Sequence, residues 1–372
     1  MTAAKIPSIS GDTGLTYLAE GAANIVYRFE IRHPTPPPSQ LEEYGEGTPP
    51  PTEIESDFDE KGDGFDYRAF TPFQPLSLSH SGITTDVTLD KLLRLRKGLS
   101  TTLPVSVTQE AWERVIAPLF LPTEIVQQSL VRLESRVIHD LNTKLQHWEQ
   151  DPADAQNPRP SIRRGIYLAD DEFGLLFKPK WLIQSPSAPK NAVRCRQCAR
   201  FARANAELAR ENESLKKVWC PLELSMNESR RLAQILFPPE ERDEMFPRFQ
   251  SWLSSNTLLP RLRQLQKALD PIGVLENDKN NDMFRAAMTL RDCSVFVRFP
   301  ATVADDHLIE ARIGDLDLKS PNKAQYWKDI ENSLINGGWY TGTEKAEDRQ
   351  PLTCQLSPKG EDAMRAFLLS QS

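Results

Sequence analysis

Residues Ile313–Lys319 read IGDLDLK, with Asp315, Asp317 and Lys319 alternating with Leu316 and Leu318. Successive side chains on a strand point to opposite faces, so this spelling turns three charges one way and two leucines the other. The charged side is either a solvated face or a binding surface, and the stretch alone leaves both open. Its neighbours decide the fold class. Upstream, Asp282–Leu290 has helical spacing of apolar residues and runs into CSVFVRF (Cys293–Phe299), whose β-branched and aromatic residues suit a buried strand. His307–Lys319 then reads as a further strand and Asn322–Asn336 as a closing helix. A chain that mixes helices with short strands of this kind is expected to be an α+β protein.

The same reading extends toward the N-terminus. Leu15–Ala19, the small-residue stretch EGAAN (Glu20–Asn24) and Ile25–Ile31 read as strand, turn, strand. In LDKLLRLRK (Leu89–Lys97), Leu93 and Leu95 alternate with Arg94 and Arg96, as in a half-buried strand. Pro122–Gln150 predicts one long amphipathic helix opened by a proline. FGLLFKPKW (Phe173–Trp181) is an apolar strand ending in two lysines around Pro179, and Asn227–Phe237, Glu240–Ser254 and Leu258–Leu269 predict helices. No internal repeat is evident.

A chain of 372 residues, 39% of them hydrophobic, can bury a full core and divide into two or three lobes. No apolar run approaches the roughly 18 residues of a membrane span. The start, MTAAKIPSISGDTG, lacks a basic segment followed by an apolar one, so no secretory leader is expected. Five cysteines, three of them between Cys195 and Cys220, suit a reducing compartment, and the expected location is the nucleus or cytoplasm. The net charge of −7 is unevenly spread. Ser39–Asp66 holds ten acids and one base, and Pro34–Pro51 holds seven prolines, which predicts a disordered insert over about residues 34–80. Arg159–Lys217 reverses the sign, with thirteen Lys or Arg against six Asp or Glu, so a small anion or a nucleic acid could be drawn there.

A strand, a glycine turn, a strand and a strand with basic residues is also the way kinase folds cover ATP phosphates, although EGAAN by itself fits an ordinary hairpin. The stretches EGAANIVYRF, LLRLRK, FKPKWLIQSPSAP, RCRQC, WCPLEL, LRDCSVFVRF and IGDLDLK occur in the order found in inositol-pentakisphosphate 2-kinases. From about Tyr17 to Tyr340, leaving out the acidic insert, the chain resembles that family, and its middle stretch resembles the fungal members in particular.

The resemblance implies a two-lobed, distantly protein-kinase-like fold, with a strand-rich N-lobe (1–120) and a mixed α/β C-lobe (121–372). It implies transfer of the γ-phosphate of ATP, with Mg²⁺, to the axial 2-hydroxyl of inositol 1,3,4,5,6-pentakisphosphate, giving inositol hexakisphosphate. Residue by residue, it lays Gly21, Ala22, Ala23 and Asn24 over the nucleotide phosphates, with Arg94 as the basic residue of the third strand and Asn256 on the nucleotide side. Lys178 would touch the transferred phosphoryl group and Asp292 would lie near the attacking hydroxyl. Lys180, Lys319, Lys323 and Arg159 would hold substrate phosphates, and Asp315 the metal. Alternation leaves Asp317 either a second metal ligand or a supporting acid. The expected partner is the inositol pentakisphosphate substrate, with no membrane or nucleic acid and a monomeric state.

Phosphoryl transfer asks for these residue types on chemical grounds as well. The protein mainly positions reactants and stabilises charge, so carboxylates must hold Mg²⁺ toward the γ-phosphate and a further carboxylate can accept the hydroxyl proton. A substrate with five phosphates needs several Lys and Arg around it. Each residue also has a plainer reading: Asp292 as a turn residue before a strand, Lys178 and Lys180 as a solvated strand end. Two departures from the family pattern stand out. Leu176 occupies a position that is usually acidic and serves the nucleotide side, and a substrate lysine after the cysteine pair is missing near Ala204, where Arg200 and Arg203 are the available cations.

Cys195, Cys198 and Cys220 have zinc-ligand spacing but are three, and a tetrahedral site needs four. No histidine lies between Asp151 and Val303, so His139, His147 and Cys354 are the candidates for the fourth ligand, with buried free thiols as the alternative. Cys293 reads as a core residue. Two rival functions remain: a kinase-fold scaffold without turnover, favoured by Leu176, and a zinc-containing nucleic-acid module using RCRQCARFARANAELAR, which has a single aromatic residue and no second CxxC.

Overall fold

A computed structural model of the chain describes residues 8–9, 14–20, 24–29, 91–98, 103–150, 173–225, 230–348 and 354–357. The acidic insert, Gly21, Ala22, Ala23 and Arg159 therefore lie outside the described residues.

Two three-stranded antiparallel sheets organise the described part, which is mixed α+β as expected. The first is formed by β2 (Leu15–Glu20), β3 (Asn24–Phe29) and β4 (Leu92–Arg96). β2 and β3 pair antiparallel, with a register shift between Tyr17 and Ala19. β4 joins with Asn24 opposite Arg96 and Val26 opposite Arg94. Leu93 faces inward to a small core with Tyr27, Phe29, Val137 and Leu141, so the leucine/arginine alternation of β4 is the two-faced strand its sequence predicts. A two-residue strand, β1 (Ser8–Ile9), pairs in parallel with β5 (Arg132–Leu133).

The second sheet has the order β6 (Phe173–Phe177), β7 (Ser294–Phe299), β8 (Glu310–Gly314). Leu175, Phe177, Val295, Val297, Phe299 and Ile313 are all buried in the largest core. The first two helices, α1 (Val105–Ala111) and α2 (Ser135–Gln150), precede this sheet in the chain, and α3 (Arg196–Arg210) follows β6. The core is completed by α4 (Arg230–Leu236), α5 (Arg242–Ser255) and α6 (Leu258–Leu269), which contribute Leu232, Phe249, Trp252 and Leu262. Next come α7 (Asp282–Leu290), packed against α6, and α8 (Ala324–Asn336). α7 starts sharply because the Asn281 side chain accepts from the amides of Met283 and Phe284, satisfying two of the helix's first donors.

Two expectations fail here. Pro122–Gln150 is not one helix: Ile125 instead bridges in parallel to Ile313, flanked by Val126 N to Ile313 O at 2.8 Å and Ile313 N to Glu124 O at 2.8 Å, and the helix begins only at Ser135. Burial of the β-branched Ile125 on the edge of the second sheet overrides the local helical pattern. The strand expected over His307–Lys319 is shorter as well. Residues Val303–Leu308 form a 3-10 turn, and the strand stops at Gly314 because Asp315 takes a left-handed backbone, φ +57°. Leu316 and Leu318 remain buried, so the alternation outlives the ladder.

Candidate active site

The ends of β6 and β8 and the turn before β7 lie side by side, and each delivers charged side chains. β6 ends at Phe177, and the next residues are Lys178 and Lys180 on either side of Pro179. Asp292 sits between α7 and β7, its amide donating to Thr289 O at 3.0 Å. Asp315 and Lys319 follow β8.

These five residues form one network. The Lys178 ammonium donates to Asp315 Oδ2 at 2.8 Å and to the main-chain carbonyl of Asp292 at 2.8 Å. Lys180 Nζ donates to Asp292 Oδ1 at 3.0 Å and Lys319 Nζ to Asp292 Oδ2 at 2.7 Å, so lysines from two separate segments hold the two oxygens of one carboxylate. The carboxylates are the open part: Asp292 and Asp315 side chains are 44% and 41% exposed, against 12%, 21% and 19% for Lys178, Lys180 and Lys319. Burial alone would raise the Asp292 carboxyl, but the ammonium groups of Lys319, Lys180 and Lys178 outweigh it and hold it far below the usual carboxylate range. Burial is likewise overridden at Asp315 by Lys178 and Lys319, which lower it. Burial pushes Lys180 down, with the charges of Lys178 and Arg200 adding to the effect. Lys178 goes the other way, its burial overcome by Asp315 and Asp292.

The backbone under this network is held from beneath. Lys180 has a left-handed φ of +58°, a conformation that costs on the order of 1–3 kcal/mol and needs support. Gln266, fully buried on α6, supplies it: its Nε2 donates to Lys180 O at 2.9 Å and to Leu290 O at 3.1 Å, and its Oε1 accepts from Leu182 N at 2.9 Å. From α7, Thr289 Oγ1 accepts from Lys319 N at 3.0 Å, while Arg285 Nε donates to Lys319 O at 2.7 Å. Gln266→Ala would leave one amide and two carbonyls buried without these partners. We expect it to lower the unfolding free energy by about 3 kcal/mol, read by urea titration, with an unchanged midpoint as the contrary result.

Beside the network, Arg200 projects from α3 close enough to lower Lys180 and to feel the charge of Asp292. The rest of the basic stretch on α3 is occupied elsewhere. Arg196 is buried against Glu331 at 2.6 Å, Arg203 pairs with Glu207 at 2.8 Å and Ser333, and Arg210 pairs with Asp348. Arg196 and Arg291 both lie over the Trp181 ring, their guanidinium carbons 4.3 and 3.7 Å from its centroid. Arg291 in turn pairs with buried Asp270, which fixes the residue next to Asp292.

Several expected site residues are drawn elsewhere. Arg203 faces Ser333 rather than the lysine–carboxylate network. The Asn256 amide is occupied at the junction of α5 and α6, donating to Leu253 O at 2.8 Å and accepting from Leu259 N at 2.9 Å. Asp317 does not join Asp315: its oxygens accept from Arg94 at 2.7 Å and Arg96 at 2.5 Å. Lys323 stands exposed in the 3-10 turn before α8. Asn24 opens β3, opposite Arg96.

Cysteines form a second centre. Cys195, Cys198, Cys220 and Cys354 are all buried, and their sulfurs lie within 4.8 Å of one another. Sulfurs at tetrahedral corners 2.3 Å from a central ion stand about 3.8 Å apart. Cys195 to Cys220 and Cys220 to Cys354 each measure 3.8 Å. Of the three candidates for the fourth ligand, Cys354 completes the set, and exposed His139 is not part of it.

A family model described as inositol-pentakisphosphate 2-kinase matches residues 17–237 and 238–333. The chain belongs to the inositol-pentakisphosphate 2-kinase family. The match takes in every member of the lysine–carboxylate network and three of the four clustered cysteines. Among curated proteins, the inositol-pentakisphosphate 2-kinase of Yarrowia lipolytica is 34% identical over 177 residues, which is 46% of this chain and 54% of the relative. The matched part thus spans about half the length of that family member. Among the described residues no helix is long and apolar enough to cross a membrane.

Proposed function

We propose that the chain transfers the γ-phosphate of ATP to the axial 2-hydroxyl of inositol 1,3,4,5,6-pentakisphosphate, giving inositol hexakisphosphate. The observation that carries this is Asp292, a half-open carboxylate whose two oxygens are held by lysines from two segments, with Asp315 bridged to it through Lys178. On this reading the fold is two-lobed and distantly protein-kinase-like, with residues 1–120 on the nucleotide side and 121–372 carrying the inositol phosphate site.

The substrate hydroxyl oxygen forms the new bond to the γ-phosphorus, the bond to the bridging oxygen of the β-phosphate breaks, and ADP leaves. Asp292 accepts the hydroxyl proton. Lys178 follows the transferred phosphoryl group, balancing its charge between Asp315 and the Asp292 carbonyl. Lys180, Lys319, Arg200 and Lys323 hold substrate phosphates, with Arg159 and the stretch Gly21, Ala22, Ala23 and Asn24 completing the two ligand sites. Asp315 fits a Mg²⁺ ligand: it is turned out of the ladder by its left-handed backbone, is half exposed, and uses one oxygen on Lys178. Bound there with nucleotide phosphates and waters, Mg²⁺ would neutralise charge on the β- and γ-oxygens. The four cysteines fit a structural zinc, expected to hold the start of α3 and so the position of Arg200.

Purified protein incubated with ATP, Mg²⁺ and inositol pentakisphosphate should give hexakisphosphate on anion-exchange separation. Asp315→Asn should lower turnover by about 10²-fold or more, since interactions of this kind are worth several kcal/mol at developing charge. Folded wild-type protein that makes no product would leave a scaffold as the reading.

A further inference from the structure

The two apolar cores built on the two sheets are separate clusters. Among the described residues, a polar junction connects the β2–β4 sheet to the segment after β8: Arg94 and Arg96 both grip Asp317, and Arg94 also donates to Gln128 Oε1 at 3.1 Å. The arginines are two apart on β4 and so share a face, the one opposite Leu93. Asp317 lies midway between Asp315 and Lys319, and its main-chain carbonyl accepts from the Thr289 hydroxyl at 3.3 Å. A pull on its carboxylate is therefore felt on either side, at Asp315 and at Lys319.

We propose that Asp317 is a latch between the nucleotide-side sheet and the reaction segment, and that nucleotide phosphates compete with it for Arg94. The proposal rests on the kinase reading for the identity of that competitor. A carboxylate that accepts from two guanidinium groups occupies the place a phosphate oxygen would take. Arg94 pairs with Val26 and Arg96 with Asn24, so both cations stand along the first half of β3, toward its start at Asn24. The Arg94 side chain is 32% exposed and that of Arg96 14%, which makes Arg94 the one able to exchange while Arg96 keeps the sheet aligned. This geometry argues against Asp317 as a second metal ligand, because a cation there would face two guanidinium groups. Asp317 is a positioning residue rather than a catalytic one.

The test combines amide exchange with ADP titration on the full chain. In Asp317→Asn, exchange in β3 and β4 should quicken by about tenfold while Asp315→Asn leaves it unchanged, as expected for loss of a local restraint. ADP without Mg²⁺ should bind about threefold tighter or more to Asp317→Asn, because Arg94 is released from a charged competitor. A merely structural role would not give that tightening. Arg96→Gln should reproduce the exchange effect and not the tightening, and Asp317→Glu should restore both to near wild type. Unchanged β4 exchange in Asp317→Asn, or a loss of Mg²⁺-dependent ADP affinity with exchange unaltered, overturns the latch. Absence of ADP binding in wild type would instead count against the kinase reading, and the exchange results would still decide the latch.

Discussion

Asp292→Asn is expected to lose phosphoryl transfer by about 10³-fold or more while binding inositol pentakisphosphate at least as tightly as the wild type. The two effects have opposite signs for one reason. In the free protein the Asp292 carboxylate engages Lys180 and Lys319 and lies 3.9 Å from Lys178, so it neutralises cations that the substrate needs. Replacing it with an amide frees those cations and removes the proton acceptor. A carboxylate held so far down is also a weak base. Substrate phosphates that draw the lysines away would raise its basicity at the moment it is required. The free protein should accordingly show no ionisation of Asp292 between about pH 5 and 8 in kcat/KM. Because its folded pKa is depressed, its contribution to stability is present above the unfolded value of about 3.9 and is lost only as pH falls through the folded value. Calorimetric titration and product analysis check the pair of effects together. Turnover near normal, or collapse of substrate binding, would remove Asp292 from its assigned role.

The second large effect concerns the cysteines. Purified protein should carry about one zinc per chain, the expected content of a closed four-sulfur site. Cys354→Ala should lose it, whereas Cys293→Ala, outside the cluster, should keep it. Structural zinc binds with apparent free energies of about 10–16 kcal/mol in small domains, so losing one ligand is expected to cost roughly 3 kcal/mol or more. At about 2–4 °C per kcal/mol, Tm should fall by roughly 6–12 °C. Metal analysis with thermal unfolding reads both, and metal-free protein of unchanged Tm for Cys354→Ala would reduce the cluster to packed thiols. Cys195 is the N-cap residue of α3, which also bears buried Arg196 and Arg200, whose charge contributes to the lowering of Lys180. Loss of the metal should therefore weaken substrate binding as well as the fold.

Much of this was legible wherever local pattern and tertiary role agree. β6 and β7 are apolar runs that pack as such, and Lys178, Lys180, Asp292, Asp315 and Lys319, singled out by the family resemblance, lie together in one network. Alternation in IGDLDLK correctly buries Leu316 and Leu318, but it cannot give the exit from the strand, which depends on one backbone angle at Asp315. The signal present was Gly314, where an added Cβ would stand 2.7 Å from the Phe296 ring, followed by an aspartate, a residue that tolerates the left-handed region. That exit sends Asp315 and Asp317 to different partners. Gln266 left a readable trace, a polar residue on the buried stripe Leu258, Leu259, Leu262 of α6. Arg96 was readable from strand period alone, as the same-face neighbour of Arg94. Cys354 was legible only as one of three candidates for the fourth ligand, because nothing local to it reports a partner far upstream.

That separation sets an order of events during synthesis. Cys354 follows Cys220, the third of the upstream cysteines, by 134 residues. At about 5–20 residues per second, a ribosome needs roughly 7–27 s to cover that distance. For that interval the nascent chain carries an open three-thiol cup, able to hold an ion only loosely and exposed to oxidants. The helix bearing Arg196 and Arg200 would take its final seat only when the last thiol arrives.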